Sequence, residues 1–468
     1  MPTSDVIVLG VGTCGEDISL RLMAAGLEVT GIEARLIGGE CPYFACLPTK
    51  SMIRSANLLQ EARRADGLVG TVDVTADWSL VAARVREEIT GGWDDSYAVA
   101  RFEGNGGRFV RGRGTLTGPR SVAVGGVEYE ARRGIVIATG SKPAIPPIPG
   151  LAGVAYWTTR DAIQVEELPS SLLVLGGGAV GCELSQVFAR FGVSVTIVEG
   201  RDRLLPLEEP VASAAITEAL ESEGIKTLTG ARVESIAGES RSVTATMSDG
   251  SRVSAERLLV ATGRTVDVEG LGLDRAGIST SDGFIEVDER VRAAPDIWAV
   301  GDVTGVGMFT HVGLYQGSIA VSDILGNDPA PADYTVLPRA TFTDPEVGSV
   351  GLTEAQARDM GYEVDVSVKQ VGSTFRGWLH KTGHVGVIKL VVDQGSGALL
   401  GATAVGPHGG EVLGMLSVVM KTGTPVSDLV DMIYAFPTFY GGVGETLGAY
   451  GRGLMQVLDP GSKPMFTD

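Results

Sequence analysis

Short apolar runs punctuate this chain, and the segments between them change in period. Val6-Ile7-Val8-Leu9 is continuously apolar and closes on Gly10. A run this short, bounded by glycine, predicts a strand buried on both faces. A helical pattern follows from Asp17 to Ala25, and the next apolar run, Leu27 to Ile32, ends at Glu33. The same succession returns at Leu172-Leu173-Val174-Leu175 and at Val193 to Val198, which ends at Glu199. Ile135-Val136-Ile137-Ala138, Leu258-Leu259-Val260-Ala261 and Ile297-Trp298-Ala299-Val300 also run into glycine-containing turns. Strands alternating with helices predict an α/β architecture with parallel sheets. The last part of the chain, with strands such as Val385 to Val392, predicts a separate α+β domain.

The polar punctuation carries chemistry. Gly10-Val11-Gly12-Thr13-Cys14-Gly15 and Gly176-Gly177-Gly178-Ala179-Val180-Gly181 share the GxGxxG spacing, each between an apolar strand and a helix. In such a turn the first glycine makes the bend and the second lets the backbone approach a pyrophosphate. The third lets the helix pack close, and the helix N-terminus offers free N–H groups. Glu33 and Glu199 stand where an acid accepts hydrogen bonds from ribose hydroxyls. The two units align without a gap, Gly10 with Gly176, Gly26 with Gly192 and Glu33 with Glu199. One such motif is weak evidence; two in register predict two Rossmann-like nucleotide-binding domains. Ala138-Thr139-Gly140 and Ala261-Thr262-Gly263 form a second matched pair of strand ends.

A few residues beyond Glu33 comes Gly39-Glu40-Cys41-Pro42-Tyr43-Phe44-Ala45-Cys46-Leu47-Pro48-Thr49-Lys50. A dithiol beside a cofactor site predicts two-electron redox chemistry. Residues i and i+5 of a regular helix lie about 8.5 Å apart, whereas a disulfide wants roughly 4.4–6.8 Å between Cα atoms. The Cys41–Cys46 turn must therefore depart from a regular helix, and Pro42 and Pro48 fit an irregular entry. Cys14 and Cys182 lie inside the fingerprints, where packing explains a small buried residue.

Composition narrows the picture. The chain has 468 residues, 44% hydrophobic, with only four cysteines. Too few cysteines for a disulfide framework suggest a reducing cytoplasm, with Cys41–Cys46 catalytic rather than a staple. A formal charge of −19 disfavours nucleic acid and anionic membrane as partners. Met-Pro-Thr-Ser-Asp runs straight into the first strand, so no signal peptide is expected, and no apolar run has the length of a bilayer span. The expected division is 1–150, first nucleotide-binding domain; 151–270, the second; 271–337, a return to the first; and 338–468, the C-terminal domain. No metal site is expected.

On these motifs the chain resembles the flavoprotein disulfide reductases of the dihydrolipoamide dehydrogenase, glutathione reductase and mercuric reductase type. Val300-Gly301-Asp302 with His311 resembles that family's second flavin motif. Phe342-Thr343-Asp344-Pro345-Glu346-Val347-Gly348 and Val350-Gly351-Leu352-Thr353-Glu354 resemble the start of its dimerisation domain. The resemblance implies FAD on the first domain, NADH or NADPH on the second, a homodimer through the C-terminal domain, and a small-molecule electron acceptor. It places Gly10, Gly12, Gly15, Glu33, Lys50, Thr139, Gly140, Asp302 and His311 at FAD. Gly176, Gly178, Val180, Glu183, Glu199, Val233 and Gly263 fall on the nicotinamide side. Thr13, Cys14, Ala34, Arg35, Gly39, Glu40, Cys41, Gly114, Ala138, Ala179, Phe309 and Thr310 complete the expected cofactor-binding set. Lys50 and Glu183 match a pair near the flavin's reactive nitrogen. Cys46 matches the flavin-side thiolate and Cys41 the exchanging thiol.

The match breaks near the C-terminus. Disulfide-reducing members carry His-Pro-Thr-x-x-Glu there, the histidine acting as general acid/base in the partner's site. This chain reads Phe436-Pro437-Thr438-Phe439-Tyr440-Gly441. None of its four histidines, His311, His380, His384 and His408, lies in this segment. Tyr440 is the candidate proton donor, with Tyr434 and Glu445 nearby; packing in an aromatic-rich interface explains all three as well. The cysteine loop also departs, since Pro42-Tyr43-Phe44-Ala45 is bulky and Glu40 stands where threonine is common. Three readings follow: a disulfide reductase with an unusual acceptor, a mercuric-reductase-like or quinone reductase, and the dehydrogenase component of a multienzyme complex. The first is favoured.

Overall fold

The computed structural model describes residues 1–239, 241–381, 383 and 385–449. His384 and residues 450–468, the end of the expected C-terminal domain, lie outside the described residues. Three sheets carry the architecture, mixed α/β as expected. The first is built on Thr3–Leu9, flanked in parallel by Val29–Glu33 and Val127–Ile137. Arg108–Arg111 extends it on one side and Ile297–Ala299 on the other, with Arg292–Ala294 antiparallel at the edge. Val6, Ile7 and Val8 are all fully buried, as continuous apolar runs in parallel strands require. Gly114–Gly118 and Ser121–Val124 form an antiparallel meander with the start of Val127–Ile137.

The helix after the first glycine turn begins at Thr13, earlier than the apolar period from Asp17 suggests. Its first turn is the fingerprint itself, whose glycines carry no periodic signal. It packs against helix Thr310–Ile324, and a Cβ on Gly313 would lie 2.3 Å from Cys14 Sγ. That close approach leaves Cys14 a packing contact, with burial pushing its thiol up to about 12.

The second sheet runs Lys226–Leu228, Ser194–Val198, Ser171–Leu175, Arg257–Val260, all parallel. A three-stranded antiparallel sheet, Val233–Glu239, Ser242–Met247 and Arg252–Ala255, accompanies it. The chain enters and leaves this unit side by side, where Lys142–Pro143 pairs antiparallel with Arg264–Thr265. The third sheet is five-stranded and antiparallel: Arg339–Thr341, Glu346–Gly351, Leu399–Gly406, Val387–Asp393, Val364–Gln370. Helix Gly409–Thr422 covers it, burying Val412, Leu413, Leu416 and Val419. Among the described residues no helix is long and apolar enough to cross a membrane.

Candidate active site

The two glycine turns are built alike. Gly10 has φ +93° and Gly176 φ +105°, the left-handed region that favours glycine. A Cβ on Gly10 would lie 2.4 Å from Ala138 O, and one on Gly176 2.4 Å from Ala261 O. Cβ atoms on Gly15 and Gly181 would each sit 2.0 Å from the carbonyl of the first glycine. Strand ends Ala138-Thr139-Gly140 and Ala261-Thr262-Gly263 therefore close against their turns. Each acid then locks its own turn. Glu33 accepts the N–H of Val11 at 2.9 Å and of Arg35 at 2.8 Å. Glu199 accepts the N–H of Gly177 and of Arg201, both at 2.7 Å.

Around the first turn, Gly38 N–H donates to Val11 O at 2.7 Å, and Thr13 Oγ1 donates to Gly38 O at 3.0 Å. Gly12 and Gly39 face each other so closely that a Cβ on Gly39 would meet Gly12 Cα at 2.7 Å. Thr139 Oγ1 is buried without a hydrogen-bond partner. A side-chain-free cradle at a helix N-terminus, with an orphaned hydroxyl beside it, fits the FAD that the resemblance implies. Asp302 accepts from Ser141, which in turn accepts from Arg264 Nε at 2.6 Å.

The cysteine loop breaks where the geometry requires. Glu40–Tyr43 is a short helical turn, and Cys46 opens a new helix, Cys46–Arg63. Between them Ala45 takes φ −136°, ψ −94°, off the helical path. Both thiols are free. Cys46 Sγ lies 3.5 Å from Thr310 Oγ1, at the start of a second helix. The Cys41 hydrogen bond, Thr310 and the positive charge of Lys50 pull Cys46 down to about 6. The shared hydrogen bond and burial push Cys41 up. The pair therefore holds one proton on Cys41 and one negative charge on Cys46.

One turn along the helix, Lys50 Nζ donates to Glu183 Oε2 at 2.8 Å. The Glu183 side chain is 4% exposed, not the solvated helix residue its polarity suggests. Its second oxygen accepts Phe342 N–H at 2.8 Å, and the Phe342 ring lies 4.7 Å from Lys50 Nζ. Glu40 pairs with Arg160, 3.9 Å from Arg264 and from Arg35, while burial raises its carboxyl. Arg160 has no local motif that would mark it, and Phe342 stands in the motif read only as the start of the C-terminal domain. Ser141 and Arg264 could have been flagged, each as the residue after an Ala-Thr-Gly turn.

Other expected residues take packing or backbone positions. His311 turns to Pro338 O at 2.9 Å and stacks on Phe309. Gly114 is packed so tightly that a Cβ would lie 2.4 Å from Leu9 Cδ1. Val233 opens a strand of the antiparallel sheet. Ala179 and Val180 begin helix Ala179–Arg190 behind Gly178.

The C-terminal segment is an aromatic knot. Phe436 is 57% exposed and packs edge-on against Phe375 at 4.9 Å. Tyr440 Oη accepts Ala435 N–H at 2.9 Å, and Tyr434 donates to Leu429 O at 2.9 Å. Glu445 is buried, accepting Phe375 N–H at 3.2 Å, with its carboxyl raised by burial. His380 and His408, distant in sequence, flank Phe439 at 5.6 and 5.2 Å.

Comparison with known proteins gives a consistent result. The family model described as pyridine nucleotide-disulphide oxidoreductase matches residues 4–317, and that of the same family's dimerisation domain matches 337–446. A dihydrolipoyl dehydrogenase of Thermus scotoductus is 34% identical, covering 98% of this chain and 100% of that protein. A mercuric reductase of Acidithiobacillus ferrooxidans is 32% identical, covering 97% and 83%. Among solved structures, a Cu(II) complex of the HOCl-induced flavoprotein disulfide reductase RclA from Escherichia coli superposes with a TM-score of 0.84. It is 27% identical and is covered over 96% of this chain and 99% of its own. With its paired glycine turns and dithiol, the chain belongs to the pyridine nucleotide-disulphide oxidoreductases, an FAD-binding, NAD(P)H-dependent flavoprotein disulfide oxidoreductase with a dimerisation domain.

Proposed function

We propose that this enzyme passes electrons from NADH to FAD, which exchanges them with Cys41–Cys46 and delivers them to a small acceptor that needs no partner-subunit histidine. The opposed thiols carry the reading: Cys46 held as thiolate at a helix N-terminus, and Cys41 holding the proton. Bound FAD supplies the exchange between two-electron hydride chemistry and thiol chemistry. Reduction of the Cys41–Cys46 disulfide breaks one S–S bond and takes up two electrons and one proton, leaving Cys46 as thiolate and Cys41 as thiol. Lys50, beside both Cys46 and Glu183, stabilises that negative charge. Gly10, Gly12, Gly15, Glu33, Thr139 and Asp302 are assigned to FAD, Gly176, Gly178, Glu183 and Glu199 to the nicotinamide nucleotide, and the Lys50–Glu183 pair to the flavin's reactive nitrogen, where the two cofactors meet. The working unit is a homodimer in a reducing cytoplasm.

The acceptor follows from what surrounds Cys41. Exchange with an external disulfide requires Cys41 to give up a proton that burial and Cys46 hold tightly, and then requires a proton for the leaving thiol. Phe436 can do neither. Quinones and other acceptors that draw electrons directly from the flavin avoid both transfers. The test is steady-state turnover of the FAD-loaded enzyme with NADH against lipoamide, glutathione disulfide, quinones, Hg(II) and Cu(II), the last because RclA is described in a Cu(II) complex. Fast turnover with quinones and slow turnover with lipoamide is expected; the reverse order would overturn the assignment.

A further inference from the structure

Two helices carry the groups assigned to the flavin's reactive edge. Cys46–Arg63 brings Cys46 and Lys50, and Ala179–Arg190 brings Glu183. Two polar rungs join them. The near rung is Lys50 Nζ to Glu183 at 2.8 Å. Seven residues further along both helices, Arg190 Nη1 donates to Asn57 Oδ1 at 2.6 Å. Seven residues are two helical turns, about 10.5 Å, so the helices run parallel and in register.

The far rung is the better anchored. The Arg190 side chain is 1% exposed. Three further N–H groups donate to Glu223 at 2.8 and 2.6 Å and to Asp344 at 2.7 Å, so four of its five donors are bound. Arg63 Nη1 donates back to the Arg190 carbonyl at 2.9 Å. Between the rungs, Gln186 accepts Asp344 N–H at 2.7 Å and donates to Asp344 O at 2.8 Å. Glu183, Gln186 and Arg190, on one helix face, thus grip Phe342 and Asp344 in the loop between the first two strands of the third sheet. Lys50 ends a flexible stem and is partly exposed, so its single bond cannot set the axial position of two helices. The planar guanidinium, held by four hydrogen bonds, can.

We propose that Arg190 is a positioning residue for the redox site. It fixes the register of the two helices through Asn57 and ties that register to the C-terminal domain through Asp344, so that Lys50 and Glu183 meet where the flavin is reduced. The proposal rests on the assignment of Lys50 and Glu183 to the flavin. Arg64, 2.7 Å from Asp344 and 3.8 Å from Glu223, still partners both carboxylates when Arg190 is removed. A cavity of about 260 Å³ beside them also gives water access. Asn57→Leu cuts the far rung without uncovering any charge and serves where Arg190→Met does not fold.

The test compares Arg190→Met, Asn57→Leu and Lys50→Met in the FAD-loaded enzyme. It reads the flavin midpoint potential, the long-wavelength band of the Cys46 thiolate against the flavin, and single-turnover reduction by NADH, with melting temperature as the check on folding. Arg190→Met and Asn57→Leu are expected to weaken the band, shift the potential in the direction of Lys50→Met, and slow reduction about ten- to a hundred-fold, the scale of a small misplacement. Lower melting temperature with band and potential unchanged in both, while Lys50→Met alters them, would reduce Arg190 to a structural clamp and overturn the proposal alone. An unaltered Lys50→Met enzyme would instead remove the flavin assignment of Lys50, and the proposal with it.

Discussion

The carboxylate of Glu199 accepts the backbone N–H of Gly177 at 2.7 Å, so the acid that ends one strand closes the glycine turn that ends its neighbour. The arrangement holds a carboxylate beside the second glycine turn, where the nicotinamide nucleotide is proposed to bind. That charge suits free ribose hydroxyls and opposes a 2′-phosphate. Of the two nearby cations, Arg201 and Arg203, the second is drawn to Asp202 and to Pro206 O. A higher kcat/KM for NADH than for NADPH is expected, and Glu199→Ala should narrow the ratio. A wild-type preference for NADPH in steady-state comparison would contradict this.

Anaerobic titration should take up four electrons per flavin, two for FAD and two for the Cys41–Cys46 disulfide. The thiolate band should be present above about pH 6 and fade as pH falls through that value, because Cys46 is depressed from the ordinary thiol range by Cys41, Thr310 and Lys50. Cys46→Ser should lack the band at every pH. Lys50→Met, having lost one source of the depression, should lose it at a higher pH than wild type. Uptake of two electrons only would exclude the dithiol.

Ile433 is 96% exposed and Phe436 57% exposed on the single chain, three positions apart on the domain that matches the family's dimerisation model. Burial in a homodimer removes that apolar surface from water. Phe436→Asp, placing a charge there, should shift the light-scattering mass toward monomer and lower activity in parallel. A fully active monomer would rule the dimer out as the working unit.

A positioned acid/base contributes roughly 10²–10⁴-fold to a proton-transfer step. Lipoamide turnover should be slower than NADH reduction of the enzyme by a factor in this range, since stopped-flow reduction uses no residue of the 434–445 segment. Phe436→His alone should recover little, because Gly441 offers no carboxylate and Glu445 is already bound to Phe375 N–H. Tyr440 is the alternative donor, its oxygen occupied by Ala435 N–H but its own proton uncommitted to that bond. A loss of lipoamide turnover in Tyr440→Phe, with reduction unchanged, would assign it the role.

What the chain declares locally was legible in the sequence, and what it assembles from afar was not. The glycine turns could be read because Gly10 and Gly176 answer constraints within a few residues, a positive φ and a passing carbonyl. The break between Cys41 and Cys46 followed from backbone geometry alone. Thr310 entered the expected site only by resemblance, yet it touches Cys46 from the far end of the first nucleotide unit. Gln186 and Arg190 read as ordinary polar helix positions, and their partners Asn57, Glu223 and Asp344 lie on three other segments. The histidines illustrate the same limit. His380 and His408 stand apart from the C-terminal motif in sequence but against Phe439 in space.

The pairing of Ile297–Ala299 with Ile135–Ile137 has a consequence for how the molecule is made. The first sheet cannot be completed until the chain has passed through the whole second sheet, whose strands lie between Ser171 and Val260. On a ribosome the inserted unit can close on itself while the first is still missing an interior strand. Lys142–Pro143 and Arg264–Thr265, zipped together, then bring the two ends of the insertion side by side and shorten the loop that must be closed to dock the final strand. Domains generally fold as units in the order they emerge; here the unit that begins first is expected to finish second, with the cysteine loop already synthesised and its Thr310 partner not yet in place.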